Sequence, residues 1–106
     1  MKSTVERLRH HGIVCTKLTE VPPKALGSRK RITLYIGVDT AGYRCSVMML
    51  AKKSRVVRQE VYGVMALHAT LEVYVDALFT KRYIGIDAPL CSKAKAVLEE
   101  AGWVLV

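Results

Sequence analysis

The sequence predicts one α/β domain, a mixed central sheet flanked by helices in the order α-β-β-β-α-β-α-β. Three observations carry that prediction. The apolar runs ITLYIGVD and YRCSVMMLA lie on either side of Asp39-Thr40-Ala41-Gly42, whose composition is that of a tight hairpin turn. The apolar positions from Val56 to Phe79 recur at helical spacing, and the strand run RYIGID follows them. A helix between two strands of one sheet makes the sheet partly parallel. Finally, 106 residues, half of them apolar, suit one core and leave no room for two.

The elements follow in order. TVERLRHH (4–11) reads as a helix, with Ser3 and Glu6 at capping-box spacing and Gly12 as its stop. IVCTKL is a short strand ended by Pro22 and Pro23, and KALGSRKR (24–31) is a basic, flexible loop. The hairpin strands come next, then KKSR (52–55), with Ser54 a helix N-cap candidate. For 56–79 the periodicity favours one long helix. Gly63 and the crowd of valines leave open a strand over VVRQEVYG before a shorter helix. RYIGID ends at Ala-Pro, Ser92 opens the helix KAKAVLEEA, and Gly102 separates it from a last strand, WVLV.

Seventeen Lys and Arg against nine Asp and Glu give a net charge of +8. In so small a domain this implies a polyanionic partner, nucleic acid first and an acidic protein second. The basic residues cluster at element ends: Arg29, Lys30 and Arg31; Lys52, Lys53, Arg55 and Arg58; Lys81 and Arg82. There they can reach phosphates without leaving the core. No apolar run approaches the ~20 residues of a membrane span, and no secretory signal is read, so a cytoplasmic, membrane-free protein is expected. The oligomeric state is left open, a homodimer among the options.

Cys15, Cys45 and Cys91 are odd in number and lack zinc-ligand spacing, so they read as buried thiols. His10 and His11 suit a helix C-terminus, and His68 falls on the apolar helix face as a core histidine. Tyr62, on the polar side of the same helix, is a candidate for stacking on a base. Phosphate-loop, dinucleotide, G-x-S-x-G and H-E-x-x-H motifs are all missing from the sequence.

One motif occurs twice, as YIGVD (35–39) and YIGID (83–87). Two aspartates at strand ends could be paired ligands for Mg²⁺, a hard cation that prefers oxygen, in phosphodiester chemistry. The other reading is that each ends a strand and opens a turn. A separation of roughly 4 Å, bridgeable by one cation, would distinguish the first from the second.

The stretch RKRITLYIGVDTAGYRCSVMMLAKKSR resembles the core of the PD-(D/E)XK nuclease superfamily, which has a restriction-endonuclease-like fold of the same element order. Lys52, Ser54 and Arg55 match the end of its E-x-K-x-S-R pattern, whereas Thr33 and Leu50 stand where the resemblance places the metal-binding Asp and Glu. That resemblance implies a nuclease-like scaffold that binds nucleic acid without cutting and needs no cofactor. The twin YIG-x-D motifs are similar to a second family, the ribonuclease H-like or RuvC-type nucleases. This implies a Mg²⁺-dependent nuclease with Asp39 and Asp87 catalytic, Lys52 assisting, and Glu60, Glu72 or Asp76 as a third acid. It requires 56–63 to be a strand. A third class is an inhibitor or accessory subunit that docks on an acidic protein.

Overall fold

The computed structural model describes residues 2–28 and 32–106. Its elements are α1 (Lys2–His10), β1 (Cys15–Val21), a 3₁₀ turn (Pro23–Leu26), β2 (Ile32–Asp39), β3 (Arg44–Ala51), α2 (Arg58–Val75), β4 (Lys81–Asp87), α3 (Ser92–Glu100) and β5 (Val104–Leu105). The predicted order holds throughout. Arg29, Lys30 and Arg31 lie outside the described residues, as does the Ser3 side chain of the expected capping box. Among the described residues, no helix is long and apolar enough to cross a membrane.

The five strands stand in sequence order across the sheet. β1 and β2 pair antiparallel, as do β2 and β3, while β3–β4 and β4–β5 are parallel. Both parallel connections carry the chain the same way across the sheet, so α2 and α3 land on one face. There they cover Ile32, Leu34, Met48, Leu50 and Ile84 with Val61, Val64, Leu71, Ala94 and Leu98. α1 closes the other face, where Leu8 packs with Tyr35, Cys45, Val47, Tyr83 and Val106. Strand β3 is therefore covered on both sides, and Cys45 through Met48 are wholly inaccessible to water. A strand buried on both faces must be apolar at successive positions. CSVMML obeys that rule with one exception, Ser46.

Ser46 is satisfied from α2. Its hydroxyl lies 2.8 Å from His68 Nε2, and His68 Nδ1 is 3.7 Å from Glu72. His68 also meets Trp103 edge-on, at 4.7 Å between ring centres. It is a core histidine, as its helical position predicts. Burial pulls its pKa from 6.5 down to about 4, against a smaller opposing pull from Glu72.

Two expectations about α2 change. Ser54 does not cap the helix: Val57 is the residue before the first turn and makes no side-chain cap. Val56 instead bridges Leu90 in parallel, donating to Pro89 and accepting from Cys91, which keeps the chain extended up to Val57. The helix then ends at Asp76, in the left-handed region with φ 52°, short of the predicted Phe79. Residues 58–63 are helical, so the strand reading of that segment fails.

The glycines of the twin motif do different work. A Cβ on Gly37 would lie 2.8 Å from the Thr16 carbonyl oxygen, because an irregularity between Thr16 and Thr19 folds β1 over that point. A Cβ on Gly85 would meet side-chain ends instead of backbone, the Met49 thioether at 2.7 Å and the Arg7 guanidinium at 3.2 Å. Gly37→Ala should therefore cost about 1–3 kcal/mol in urea unfolding and Gly85→Ala distinctly less. The buried His68 predicts a pH dependence. Its folded pKa lies below its unfolded one, so the unfolded chain takes up the proton first as pH falls. Stability is intact above pH 6.5 and is lost between 6.5 and about 4, by about 3 kcal/mol. His68→Gln should remove that segment of the stability–pH curve, measured against wild type.

Candidate nucleic-acid interface

The two aspartates of the repeated motif lie at opposite ends of the sheet. Asp39 closes β2 beside the start of β3, where Val38 pairs with Arg44. Asp87 closes β4 beside the end of β3, where it pairs with Ala51. Seven strand residues separate the two ends, roughly 20 Å at the strand rise. No single cation can bridge them, and the shared metal site is excluded.

Each carboxylate has a local task instead. Asp39 Oδ1 accepts from the backbone N–H groups of Ala41 and Tyr43, both at 2.9 Å, and Gly42 completes the corner at φ 87°. This is the hairpin corner that its composition predicts. Asp87 ion-pairs with Arg7 of α1, and the Arg7 Nε also donates to the Val106 carbonyl at 3.0 Å. The strand-exit aspartate thereby ties the first helix to the last strands.

The more informative end of the sheet is the one where β2 begins and β3 and β4 finish. A groove of about 660 Å³ opens there, walled by Ile32, Leu50, Ala51 and Val64, with Lys52, Lys53 and Glu60 on its polar side. Lys52 Nζ donates to both Glu60 oxygens, at 2.9 and 2.6 Å. Both side chains keep about a quarter of their surface, so the pair contributes ~1 kcal/mol at most.

Leu50 and Lys52 share the α2 face, as alternate strand positions should. Thr33 does not join them. It pairs with Met49, which packs on the α1 face, so the β2 residue opposite Leu50 is Ile32. The three positions that the nuclease pattern would bring together are therefore split between the two faces. A Mg²⁺ centre needs several oxygen ligands, and the groove offers one carboxylate, Glu60, already held by Lys52. The donor set does not fit such a centre. No group of three or more His, Cys, Asp or Glu able to hold a metal occurs among the described residues. Glu72 and Asp76, the other acids considered from the sequence, lie at the far end of α2, where a Glu72 oxygen accepts from the Phe79 N–H at 3.1 Å.

Lys53, Ser54, Arg55 and Arg58 line the rim of this end, all exposed. Lys81 and Arg82 do not extend that rim, because they begin β4 at the opposite end of the sheet. Arg82 is engaged in packing: it lies 5.7 Å over the Trp103 ring and donates to the Ala101 carbonyl at 2.9 Å. Tyr62 is half exposed on α2, one turn beyond Arg58. His10 ends α1 and His11 follows it, both exposed.

Sequence reading missed one contact. Cys45 donates its thiol to the Cys15 sulfur at 3.0 Å, across Gly37, which pairs with Cys45. That hydrogen bond holds the Cys15 thiol below its ordinary pKa and pushes Cys45 up, with burial adding to the rise. Thirty residues apart in sequence, the two carry no spacing signal; only the fold of β1 over Gly37 joins them.

Two solved structures share the architecture. The apo form of EndoMS superposes with a TM-score of 0.55 at 18% identity, over 98% of this chain and 44% of that one. A repair endonuclease from Pyrococcus abyssi superposes with a TM-score of 0.50 at 16% identity, over 83% of this chain and 37% of that one. This chain thus spans less than half the length of either. No family model and no curated protein sequence matches it. With Asp39 and Asp87 at opposite ends of the sheet and 58–63 helical, the ribonuclease H-like reading is overturned. The chain shares the nuclease-like fold of these two structures, a five-stranded mixed sheet flanked by helices.

Proposed function

We propose that this chain binds nucleic acid through the sheet end formed by Lys52–Arg58, on a nuclease-like scaffold that does not itself cleave. One observation supports the reading above the others. Lys53, Arg55 and Arg58 are exposed together beside the groove, in a protein of net charge +8. Cations spaced along one rim suit the phosphate backbone, which contributes affinity without requiring base contacts. One of the structural neighbours is a repair endonuclease, which fits a nucleic-acid partner. Binding without cleavage is proposed because the groove holds Ile32, Leu50 and a Lys52–Glu60 pair where metal chemistry would need free carboxylates.

Fluorescence anisotropy with short labelled DNA and RNA duplexes and single strands tests the proposal. Affinity should fall steeply with salt and persist in EDTA, with no loss of substrate length on a denaturing gel. Lys53→Glu and Arg55→Glu should each weaken binding and lower the salt slope by about one. Lys81→Glu, at the far end of the sheet, should change both less. Salt-independent binding, or no binding to any DNA or RNA, would refute the assignment. Mg²⁺-dependent cutting by the purified protein would leave the interface standing and remove the non-cleaving part of it.

A further inference from the structure

Helix α2 has an outer face that is nearly as apolar as its inner one. Eleven consecutive residues, Val61 to Leu71, contain no Asp, Glu, Lys or Arg. Val61, Val64, Leu67, His68 and Leu71 point into the core. On the opposite side stand Tyr62, Ala66, Ala69 and Val73, all exposed, with Val73 at 82%. Their spacing of four, three and four residues forms a continuous seam of the kind that packs one helix against another. An isolated surface helix normally carries charge on that side.

The charges sit only at the two ends of the helix, and once Glu60 is paired with Lys52 the ends are opposite in sign. Arg58 opens the helix, with Lys53 and Arg55 just before it, while Glu72 and Asp76 close it. Arg58 and Asp76 are equidistant from residue 67, and Tyr62 and Val73 are nearly so. Turned over about a two-fold axis near Ala66 and Ala69, the pattern complements itself. Arg58 meets the second copy's Asp76, Tyr62 meets its Val73, and the two small alanines lie where the helices must approach most closely. Antiparallel helices also set each positive N-terminus beside a negative C-terminus. Self-complementarity about a two-fold axis is the requirement of an isologous dimer.

We infer that α2 is a homodimerisation face, on which a second copy of this chain packs its own α2 antiparallel through the Tyr62–Ala66–Ala69–Val73 seam. The Arg58–Asp76 pairs at the two ends fix the orientation. Arg58 belongs to the proposed nucleic-acid rim as well, so the dimer is read as molecular mass in the absence of nucleic acid, where the failure of either reading leaves the other standing.

Sedimentation velocity of the purified chain over a dilution series tests it. Wild type should show a concentration-dependent dimer. Arg58→Asp and Asp76→Arg should each raise the dissociation constant by roughly tenfold or more, through like-charge contacts at both ends. Mixing these two single variants should restore the dimer, because each then offers the charge that the other lacks. The double variant should dimerise with itself. Ala66→Glu, which sets two carboxylates beside the axis, should give a monomer with an unchanged circular dichroism spectrum. This variant keeps the test decisive even if Asp76→Arg disturbs the helix end. A monomeric wild type at every concentration would overturn the inference and leave the seam to another partner. Single charge variants that dimerise as well as wild type, or mix without restoring the dimer, would also overturn it.

Discussion

Strand β3 is the constraint on which the rest depends. It pairs antiparallel with β2 and parallel with β4 and is covered on both faces. Its side chains must therefore satisfy two separate cores at once. One core is built by α2 and α3, the other by the single short helix α1. The run CSVMML meets most of that demand, and Ser46 is accommodated because His68 reaches it. The same pairing fixes which residues reach the end of the sheet that carries the groove. β3 and β4 finish side by side, and β2 starts there.

This arrangement explains how the sheet end presents an apolar groove with a single carboxylate, Glu60. The groove lies where β2 begins and β3 ends, and its walls are the last apolar residues of the core. Lys52 is the first polar residue beyond that core and finds Glu60 in the first turn of α2. The outer rim carries Lys53, Arg55 and Arg58, all exposed to solvent. Scaffold and electrostatics thus come from adjacent residues, the one buried and the other solvated.

Helix α2 shows the same economy on a larger scale. One side completes the main core and holds His68 neutral. The other side repeats the apolar pattern without a partner among the described residues. Its charges are confined to the ends with opposite signs, so that the sequence favouring helix–helix contact also specifies direction. A face of that kind resists non-specific association poorly unless something defined covers it.

Much of this was legible in the sequence. The element order, the hairpin at Asp39–Gly42, the core position of His68 and the basic rim at 52–58 followed from periodicity, turn chemistry and charge, which act over a few residues. The tertiary structure decided what depends on register. It set Asp39 and Asp87 at opposite ends of the sheet, although their motifs are nearly identical, because β2 runs antiparallel to β3 while β4 runs parallel to it. It moved Thr33 to the face away from Leu50 and Lys52, since one residue of register exchanges the faces of a strand. It brought Cys15 to Cys45 and turned Arg82 from the rim onto Trp103. Local sequence can say where a strand ends. Only strand pairing says which other ends it meets.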